Sequence, residues 1–248
     1  ISHLFQYVTG SLKDVTFEVF ALEDVKSADG ESEDYYKKDE LVATITTDDT
    51  GIAKVSGLPL GKYYVKEKAT VNGFVLDNEA REIDLTYRDQ DTAEVTYSAD
   101  WQNNRQKAEV EVVKKEKDSD CVLEGAVFAL CAKNDITGAD GNVILEADTV
   151  IEELATDKEG KLTFTADLPI GFEYYIKETS PAPGFATTDE TQEFTFEYEG
   201  AEKEKVSYVF TFEDEPTVIE ITKTSLTEGK ELEGAKLQVT DESGKVVD

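Results

Sequence analysis

The segment ATDKEGKLTFTADLPIGFEYYIKE, residues 155–178, reappears with changes as TTDDTGIAKVSGLPLGKYYVKE at residues 46–67. A second pair of similar segments, VLEGAVFALCA at 122–132 and SLKDVTFEVFA at 11–21, lies upstream of each copy. The two copies end 111 residues apart. A repeat of this length has the size of a small single domain, so the self-similarity sets the number of domains.

The repeats divide the 248-residue chain into two complete units and the beginning of another. We predict domains at 1–106 and 107–215, called here the first and second repeat, and the start of a third, truncated repeat at 216–248. The third copy is recognised where residues 221–239 match residues 112–130. Because the chain has no methionine and no signal-like N-terminus, we expect it to be an excised or processed segment.

Within each repeat, apolar and polar residues alternate with a period of two, as in KLTFTA (161–166), EYYIKE (173–178) and SYVFTFE (207–213). This period is typical of half-buried β-strands. Asp-, Gly- and Pro-rich turns separate the strands, which indicates an all-β sandwich or barrel. Helix is expected only in short pieces such as residues 145–154.

The chain carries 55 acidic and 25 basic residues, a net charge of −30. Such a charge repels phosphate backbones and anionic lipid, so nucleic acid and membrane surfaces are not expected partners. One histidine, His3, and two cysteines, Cys121 and Cys131, are too few for a Cys/His zinc cluster and disfavour a hydrolase triad. We expect no metal, no cofactor and two free cysteines. No apolar run approaches the roughly 18 residues that a membrane span needs.

Three charged residues share strand faces with apolar neighbours. Lys114 has the parity of Val110 and Val112, and Glu178 and Asp214 likewise alternate with aromatic and aliphatic residues. Taken singly, each is better interpreted as a strand end that reaches water. Their joint occurrence favours burial, and unpaired buried charges are costly, so the three groups must pair, become neutral or react.

Burial lowers the pKa of a lysine and raises that of a carboxylic acid, which favours a neutral amine beside a neutral acid. Lys114 could then attack the side-chain carbonyl of Asp214 with loss of water, while Glu178 transfers protons. The sequence therefore predicts an intramolecular isopeptide bond between the first and last strands of the second repeat.

The second repeat resembles the B-type repeats of Cna-like collagen adhesins and the SpaA-like pilin domains of Gram-positive surface proteins. The resemblance rests on Lys114 followed by LEGAVFAL, TDKEG, LPIG, YYIKETSPAPGF and FEDEPT. It implies tandem transthyretin-like (prealbumin-like), Ig-like β-sandwiches in which a first-strand lysine bonds to a last-strand Asn or Asp. It also implies a catalytic Glu, and these roles fall on Lys114, Asp214 and Glu178.

The first repeat departs from this pattern. At the offset of 111, Glu67 and Asn103 occupy the catalyst and acceptor positions, with Asn104 as the acceptor if a bulge shifts the register. The lysine position falls on His3, which cannot form this amide. We therefore predict no crosslink in the first repeat unless residues before Ile1 supply a lysine. Lys223 is the candidate nucleophile of the third repeat.

The favoured function is a structural stalk of a cell-wall-anchored adhesin or pilus-like protein outside the cell, with adjacent repeats of the same chain as its partners. Such a module is not an enzyme toward other substrates. The alternative is a ligand-binding module for host matrix protein or glycan, carried by exposed aromatic residues. Its candidates are Tyr35, Tyr36, Phe74 and Trp101, although core or turn packing also explains them. A glycosidase with paired carboxylates is a weaker alternative.

Overall fold

The computed structural model describes residues 4–27, 29–92 and 94–217, with a few further positions between 234 and 246. These residues form thirteen β-strands and no helix, so the all-β prediction is confirmed. Nothing in these ranges forms a helix with the length and apolar character needed to cross a membrane.

Four strands of the first repeat form one antiparallel sheet: β1 (Thr16–Ala21), β2 (Leu41–Thr46), β3 (Lys62–Ala69) and β4 (Arg81–Asp84). Their order in the sheet is β2-β1-β3-β4. Alternate residues of β1 and β3 are buried, as their period of two predicts. The buried face carries the apolar core of this repeat.

Nine strands of the second repeat form two facing sheets and a hairpin. They are β5 (Lys107–Glu116), β6 (Val127–Ala132), β7 (Ile136–Thr137), β8 (Val143–Leu145), β9 (Val150–Ala155), β10 (Lys161–Phe164), β11 (Phe172–Ser180), β12 (Thr191–Phe196) and β13 (Lys205–Asp214). One sheet has the order β10-β5-β13, the other β12-β11-β6-β9, and β7 pairs with β8. Residues from both sheets build a single apolar core, so this repeat is a β-sandwich.

The short helix expected at 145–154 is not formed. β8 ends at Leu145, and β9 begins at Val150 and pairs with β6, where Leu154 lies opposite Phe128. Local composition favours a helix here, but the backbone groups of the buried strand β6 need a partner on this side. Tertiary pairing therefore overrides the local preference.

The first and last strands of the second repeat lie side by side. β5 is the central strand of its sheet, with β10 antiparallel on one side and β13 parallel on the other. Lys114 lies opposite Phe212, and Asp214 is the next residue of β13 that faces the same way. Because parallel strands run in the same direction, residues late in both strands come together although 100 positions separate them in sequence.

The junction between the two repeats contains a buried polar residue. Gln106 is fully buried, and its side-chain amide donates to the carbonyl oxygens of Gly200 at 3.0 Å and Lys203 at 2.6 Å. Its side-chain oxygen accepts the backbone N–H of Glu199 at 2.9 Å. Every polar atom of this side chain is thus used to hold the junction against one turn of the second repeat.

A loop of the first repeat, residues 71–77, also contacts the second repeat. The hydroxyl of Tyr198 donates to the carbonyl oxygen of Phe74 at 2.9 Å. The N–H of Leu76 donates to the carbonyl oxygen of Ala201, also at 2.9 Å. The repeats are therefore joined by direct hydrogen bonds as well as by the chain.

Candidate functional site

Lys114 is positioned by backbone hydrogen bonds on its strand β5. Its N–H donates to the carbonyl of Gly160 at 2.8 Å, and its own carbonyl accepts the N–H of Leu123 at 3.0 Å. Gly160 has φ of +67°, and a Cβ added there would lie 2.7 Å from the Lys114 carbonyl oxygen. Glycine is required at this turn for both reasons. The lysine side chain faces inward with Val110 and Val112 and has no solvent exposure, as the alternation predicts.

Glu178 reaches the same place from the facing sheet. It lies on β11 opposite Phe128 of β6, and its side chain is fully buried. Its Oε2 accepts the N–H of Thr188 at 3.0 Å. The centroids of the Phe128 and Phe212 rings are 4.9 Å apart, and Lys114 Nζ lies 5.5 Å from the centroid of the Phe128 ring. The Phe128 ring, packed against Phe212, thus lies beside the buried amine that contacts this carboxyl group.

Asp214 ends β13 and completes the group. Its side chain is fully buried, and its Oδ1 accepts a hydrogen bond from Lys114 Nζ. Lys114 Nζ also lies 3.1 Å from Oε1 of Glu178. The structure therefore brings together the three side chains that the sequence pattern pointed inward, one from each of three strands.

Two carboxyl oxygens of this group lack a hydrogen-bond donor among the described residues, namely Oε1 of Glu178 and Oδ2 of Asp214. The contact between Lys114 Nζ and Glu178 Oε1 is within ion-pair range but poorly aligned for a hydrogen bond. A buried carboxylate oxygen without a donor is unfavourable. Protonation of one carboxyl, or its conversion to an amide, would remove this cost.

Burial raises the pKa of the Glu178 carboxyl, and the nearby charge of Asp214 adds to the effect. The Thr188 N–H and Lys114 act in the opposite direction but do not cancel it. Glu178 therefore keeps its proton to higher pH than an exposed glutamate does. A carboxyl of this kind can donate a proton to a neighbouring carbonyl and accept one from an amine.

The first repeat brings together two of the three corresponding residues. Glu67 is buried on β3, and each of its carboxyl oxygens accepts a hydrogen bond of 2.8 Å from Asn103 Nδ2. Nδ2 also donates to the carbonyl of Val75 at 2.9 Å, and Glu67 Oε2 accepts the N–H of Asp77 at 2.6 Å. The catalyst and acceptor positions thus meet here as well.

Asn104, the alternative acceptor, is exposed, and its carbonyl accepts the N–H of Val75 at 2.8 Å. Because Glu67 accepts hydrogen bonds from Asn103 and not from Asn104, Asn103 is the better candidate for the acceptor position. His3 and Lys223 lie outside the described residues, so the absence of a crosslink in the first repeat and the role of Lys223 stay predictions.

The alternating residues 97–103 of the first repeat form no strand. Their counterparts in the second repeat belong to β13, which pairs with β5. At the same offset of 111, the positions that match β5 end at residue 5, and residues 4–10 contain no strand.

Sequence reasoning missed the residues that hold the two glutamates. Thr188 follows Glu178 by ten positions, and Asp77 follows Glu67 by ten, and each donates its backbone N–H to the glutamate Oε2. The equal spacing in both repeats is the signal that could have found them. The residue types themselves do not reveal these donors, because a backbone N–H can be supplied by almost any residue.

The sequence also raised the questions of a metal site, a disulfide and an aromatic ligand site. Among the described residues, no group of three or more His, Cys, Asp or Glu side chains is arranged to hold a metal ion. Cys121 is exposed, Cys131 is buried, and both are free. Of the aromatic ligand candidates, Tyr35 is half exposed, whereas Tyr36 and Trp101 pack against the core of the first repeat.

Comparison with known proteins places this arrangement in a family. The model of the SpaA family, a prealbumin-like fold domain, matches residues 7–101 and 108–209, more than half of the chain. The chain belongs to the SpaA family. Lys114 and Glu178 lie within the second match, and Asp214 follows its end. The predicted family and fold class are therefore confirmed.

The chain is also similar to solved structures, among them two pilins. The Bacillus anthracis TIE protein has 25% identity and a TM-score of 0.53, over 96% of this chain and 38% of that one. The shaft pilin SpaA from Lactobacillus rhamnosus GG has 19% identity and a TM-score of 0.34, over 85% and 90% of the two chains. The minor pilin GBS52 from Streptococcus agalactiae has 18% and 0.33, over 87% and 88%. No curated protein sequence matches the chain.

This chain thus spans well under half the length of the TIE protein. SpaA-family membership supports a structural role in a pilus or another surface protein and an extracellular location. Domains of this fold are generally not enzymes. In this chain, the two repeats contact each other at the junction around Gln106.

Proposed function

We propose that the chain is a stalk module of a cell-wall-anchored adhesin or pilus-like protein, with an isopeptide bond between Lys114 and Asp214 that forms without another enzyme. The observation that carries the proposal is the contact of Lys114 Nζ with both Glu178 and Asp214, where all three side chains are fully buried. Buried charges in contact with carboxyl oxygens that lack donors are poorly stabilised as ions, and an amide bond replaces them with a neutral group.

The reaction is a condensation. The neutral Nζ of Lys114 attacks Cγ of Asp214 while the protonated Glu178 donates a hydrogen bond to the carboxyl oxygen. Glu178 transfers its proton to this oxygen, accepts one from the attacking nitrogen and returns it to the departing hydroxyl. It then takes back the proton from the remaining oxygen, so that a C–N bond forms, a C–O bond breaks, water leaves and Glu178 ends protonated. The raised pKa of Glu178 supports this role because it favours the protonated carboxyl with which the reaction begins.

The position of the bond suits a load-bearing module. β5 enters the second repeat at one end of the parallel pair, and β13 leaves at the other, so tension pulls the two strands lengthwise. A Lys114–Asp214 bond carries this tension directly and leaves residues 115–213 unloaded. Closing a loop of about 100 residues also stabilises the fold by about 4–5 kcal/mol, by analogy with disulfides.

We further propose that the domains are 1–106 and 107–215, with a third repeat starting at 216, and that successive repeats form a stiff rod. The hydrogen bonds of Gln106 and the loop 71–77 across the junction support this stiffness. In a rod of this kind, the repeats hold a binding region away from the cell wall.

Intact mass of the purified chain tests the bond. We expect a mass about 18 Da below the sequence value, the mass of the water released. Lys114→Met, which keeps a long buried side chain, should restore the full mass, and tandem mass spectrometry should locate the link at Lys114 and Asp214. A full-length mass in the wild-type chain, or an unchanged deficit in the variant, would contradict the proposal.

A further inference from the structure

In each repeat, one side chain ties the segment that carries the acceptor to the four-stranded sheet. Gln192 on β12 donates from Nε2 to the carbonyl oxygen of Thr211 on β13 at 2.8 Å. Nε2 also donates to Oε1 of Glu190 at 2.8 Å, which fixes the orientation of the amide. In the first repeat, Arg81 on β4 donates to the carbonyl oxygen of Asp100. The two ties are related by the offset of 111 at both ends, although glutamine and arginine differ in size and charge.

In the second repeat, the tie joins the strand of the catalyst to the strand of the acceptor. Gln192 lies opposite Ile176 of β11, two residues before Glu178. At the other end of the tie, Thr211 precedes Asp214 by three residues. Three residues of extended chain span about 10 Å, so the tie ends close to the reacting carboxyl group.

The first repeat has the same arrangement around Glu67. Arg81 lies opposite Val65 of β3, two residues before Glu67. Asp100 precedes Asn103 by three residues. Both ends of the tie therefore keep the same distance in sequence from the glutamate and from the acceptor as in the second repeat.

In the first repeat, the tie is present without strand pairing of the acceptor segment. The described residues 97–103 form no strand, yet Asn103 Nδ2 lies 2.8 Å from both carboxyl oxygens of Glu67. Arg81 holds this segment a second time, because its Cζ lies 3.8 Å from the centroid of the Trp101 ring. The tie thus accompanies the acceptor whether or not the acceptor segment belongs to a sheet.

Strand pairing alone does not set the distance between Glu178 and Asp214. Their strands β11 and β13 belong to different sheets, and among the described strands β13 pairs only with β5. Contacts between the sheets must therefore hold the free edge of β13. Directly after the acceptor, the N–H of Ala186 donates to the carbonyl oxygen of Glu215 at 3.3 Å. Gln192 supplies the side-chain contact before the acceptor.

We propose that Gln192 is a positioning residue of the reaction between Lys114 and Asp214. Its side-chain amide holds β13 at the distance from β11 at which the Asp214 carboxyl lies beside Glu178. This inference rests on the proposed isopeptide bond and adds a residue outside the three that react. Gln192 acts before the bond forms, because afterwards the covalent link itself holds β13. Its loss should therefore slow the reaction without changing the product.

The rate of bond formation in the full chain tests this role. Samples from cell-free synthesis are denatured at intervals, and intact mass follows the loss of about 18 Da. Gln192→Met keeps the length of the side chain and removes the donor, so the loss should be about 10- to 100-fold slower than in the wild type. Gln192→Arg supplies the donor found at position 81 and should restore most of the rate.

Tyr208→Phe is the matched control, because it removes another hydrogen bond between β12 and β13. The Tyr208 hydroxyl donates to the carbonyl oxygen of Thr195 at 2.9 Å, six residues before Asp214. In a Lys114→Met background, where no bond can form, guanidinium unfolding should show a similar loss of stability for Tyr208→Phe and Gln192→Met. With Lys114 present, Tyr208→Phe should leave the rate of bond formation close to that of the wild type.

Three results would overturn the positioning role while the wild-type chain still loses about 18 Da. They are an unchanged rate in Gln192→Met, equal slowing by Gln192→Met and Tyr208→Phe, and a Gln192→Arg chain as slow as Gln192→Met. Equal slowing would mean that Gln192 supports the fold in general and not the reacting groups. A wild-type chain that keeps its full mass would overturn the isopeptide bond together with this inference, so the two failures are distinguishable.

Discussion

The two repeats share the same four-stranded sheet but differ, among the described residues, in the segments that face it. In both, a buried threonine fixes the start of the first sheet strand: Val15 N–H donates to Thr47 Oγ1 at 2.9 Å, and Ala126 N–H to Thr156 Oγ1 at 3.1 Å. In both, a buried tyrosine lies on the strand that is adjacent in the sheet, and its hydroxyl donates to the carbonyl oxygen of a proline. The shared sheet thus depends on contacts that are local to each repeat.

The segments that face this sheet differ in strand formation between the two repeats. In the second repeat they form a three-stranded sheet built on β5, whereas the first repeat has no strand in the matching described segments. The acid–acceptor contact forms in both repeats, at Glu178 with its neighbours and at Glu67 with Asn103. The comparison teaches that the contact between the glutamate and the acceptor forms even where the described residues around the acceptor are not in a strand.

Removing the amine from the second repeat should make it resemble the first, and we expect the largest effect here. Lys114→Met prevents the bond, so the unfolding free energy of the second repeat should fall by about 4–5 kcal/mol, with faster proteolysis. Guanidinium unfolding followed by hydrogen exchange on peptides of β5 and β13 measures this loss. Trp101 fluorescence should show the first repeat unchanged.

The matched control is Glu67→Gln in the first repeat. It removes a buried acid at the corresponding position, where no bond is expected, and should cost about 1–3 kcal/mol through its lost hydrogen bonds, without any change in mass. An equal loss of stability in Lys114→Met and Glu67→Gln would mean that the two repeats differ in packing only, without a covalent bond.

The pH dependence of the Lys114→Met chain should give a smaller effect. Burial and Asp214 raise the pKa of Glu178, and the variant removes Lys114, which opposes them. A carboxyl with a higher pKa folded than unfolded binds its proton more tightly when folded. The unfolding free energy should therefore be highest below the unfolded pKa and fall as pH rises toward the folded pKa, by about 1.4 kcal/mol per unit of difference.

This slope is measured from the denaturant midpoints of the Lys114→Met chain at several pH values. The range should be about pH 4 to 8, because carboxyl groups with a raised pKa titrate there. The double variant Lys114→Met with Glu178→Gln is the control and should lose most of the slope. A midpoint that rises with pH across this range would show that Glu178 does not carry a raised pKa.

The smallest effect is expected from Asp214→Asn, which gives the second repeat the acceptor type of the first. The bond should still form, with ammonia leaving in place of water, so the product should have the same mass as the wild-type product. An unreacted variant would be heavier by about 17 Da. Intact mass distinguishes the two, and the unreacted mass would mean that the bond requires an acid at this position.

Much of the site was predictable from the chain alone. Parity placed Lys114, Glu178 and Asp214 on inward faces, and the structure buries all three and brings them into contact. The backbone donor of Thr188 was not predictable, because it depends on how the loop after β11 folds back over the glutamate. The helix expected at 145–154 was wrong because pairing with β6 outweighs local preference.

Two properties were determined by the order of residues: the tandem organisation and the face of each strand that turns inward. Both follow from spacing along one strand or one repeat, where the alternation of side chains is fixed by backbone geometry. Only the tertiary structure decided which strands became neighbours, that β13 runs parallel to β5, and that 97–103 stays unpaired. Those outcomes depend on hydrogen-bond partners far away in sequence, which no local pattern records.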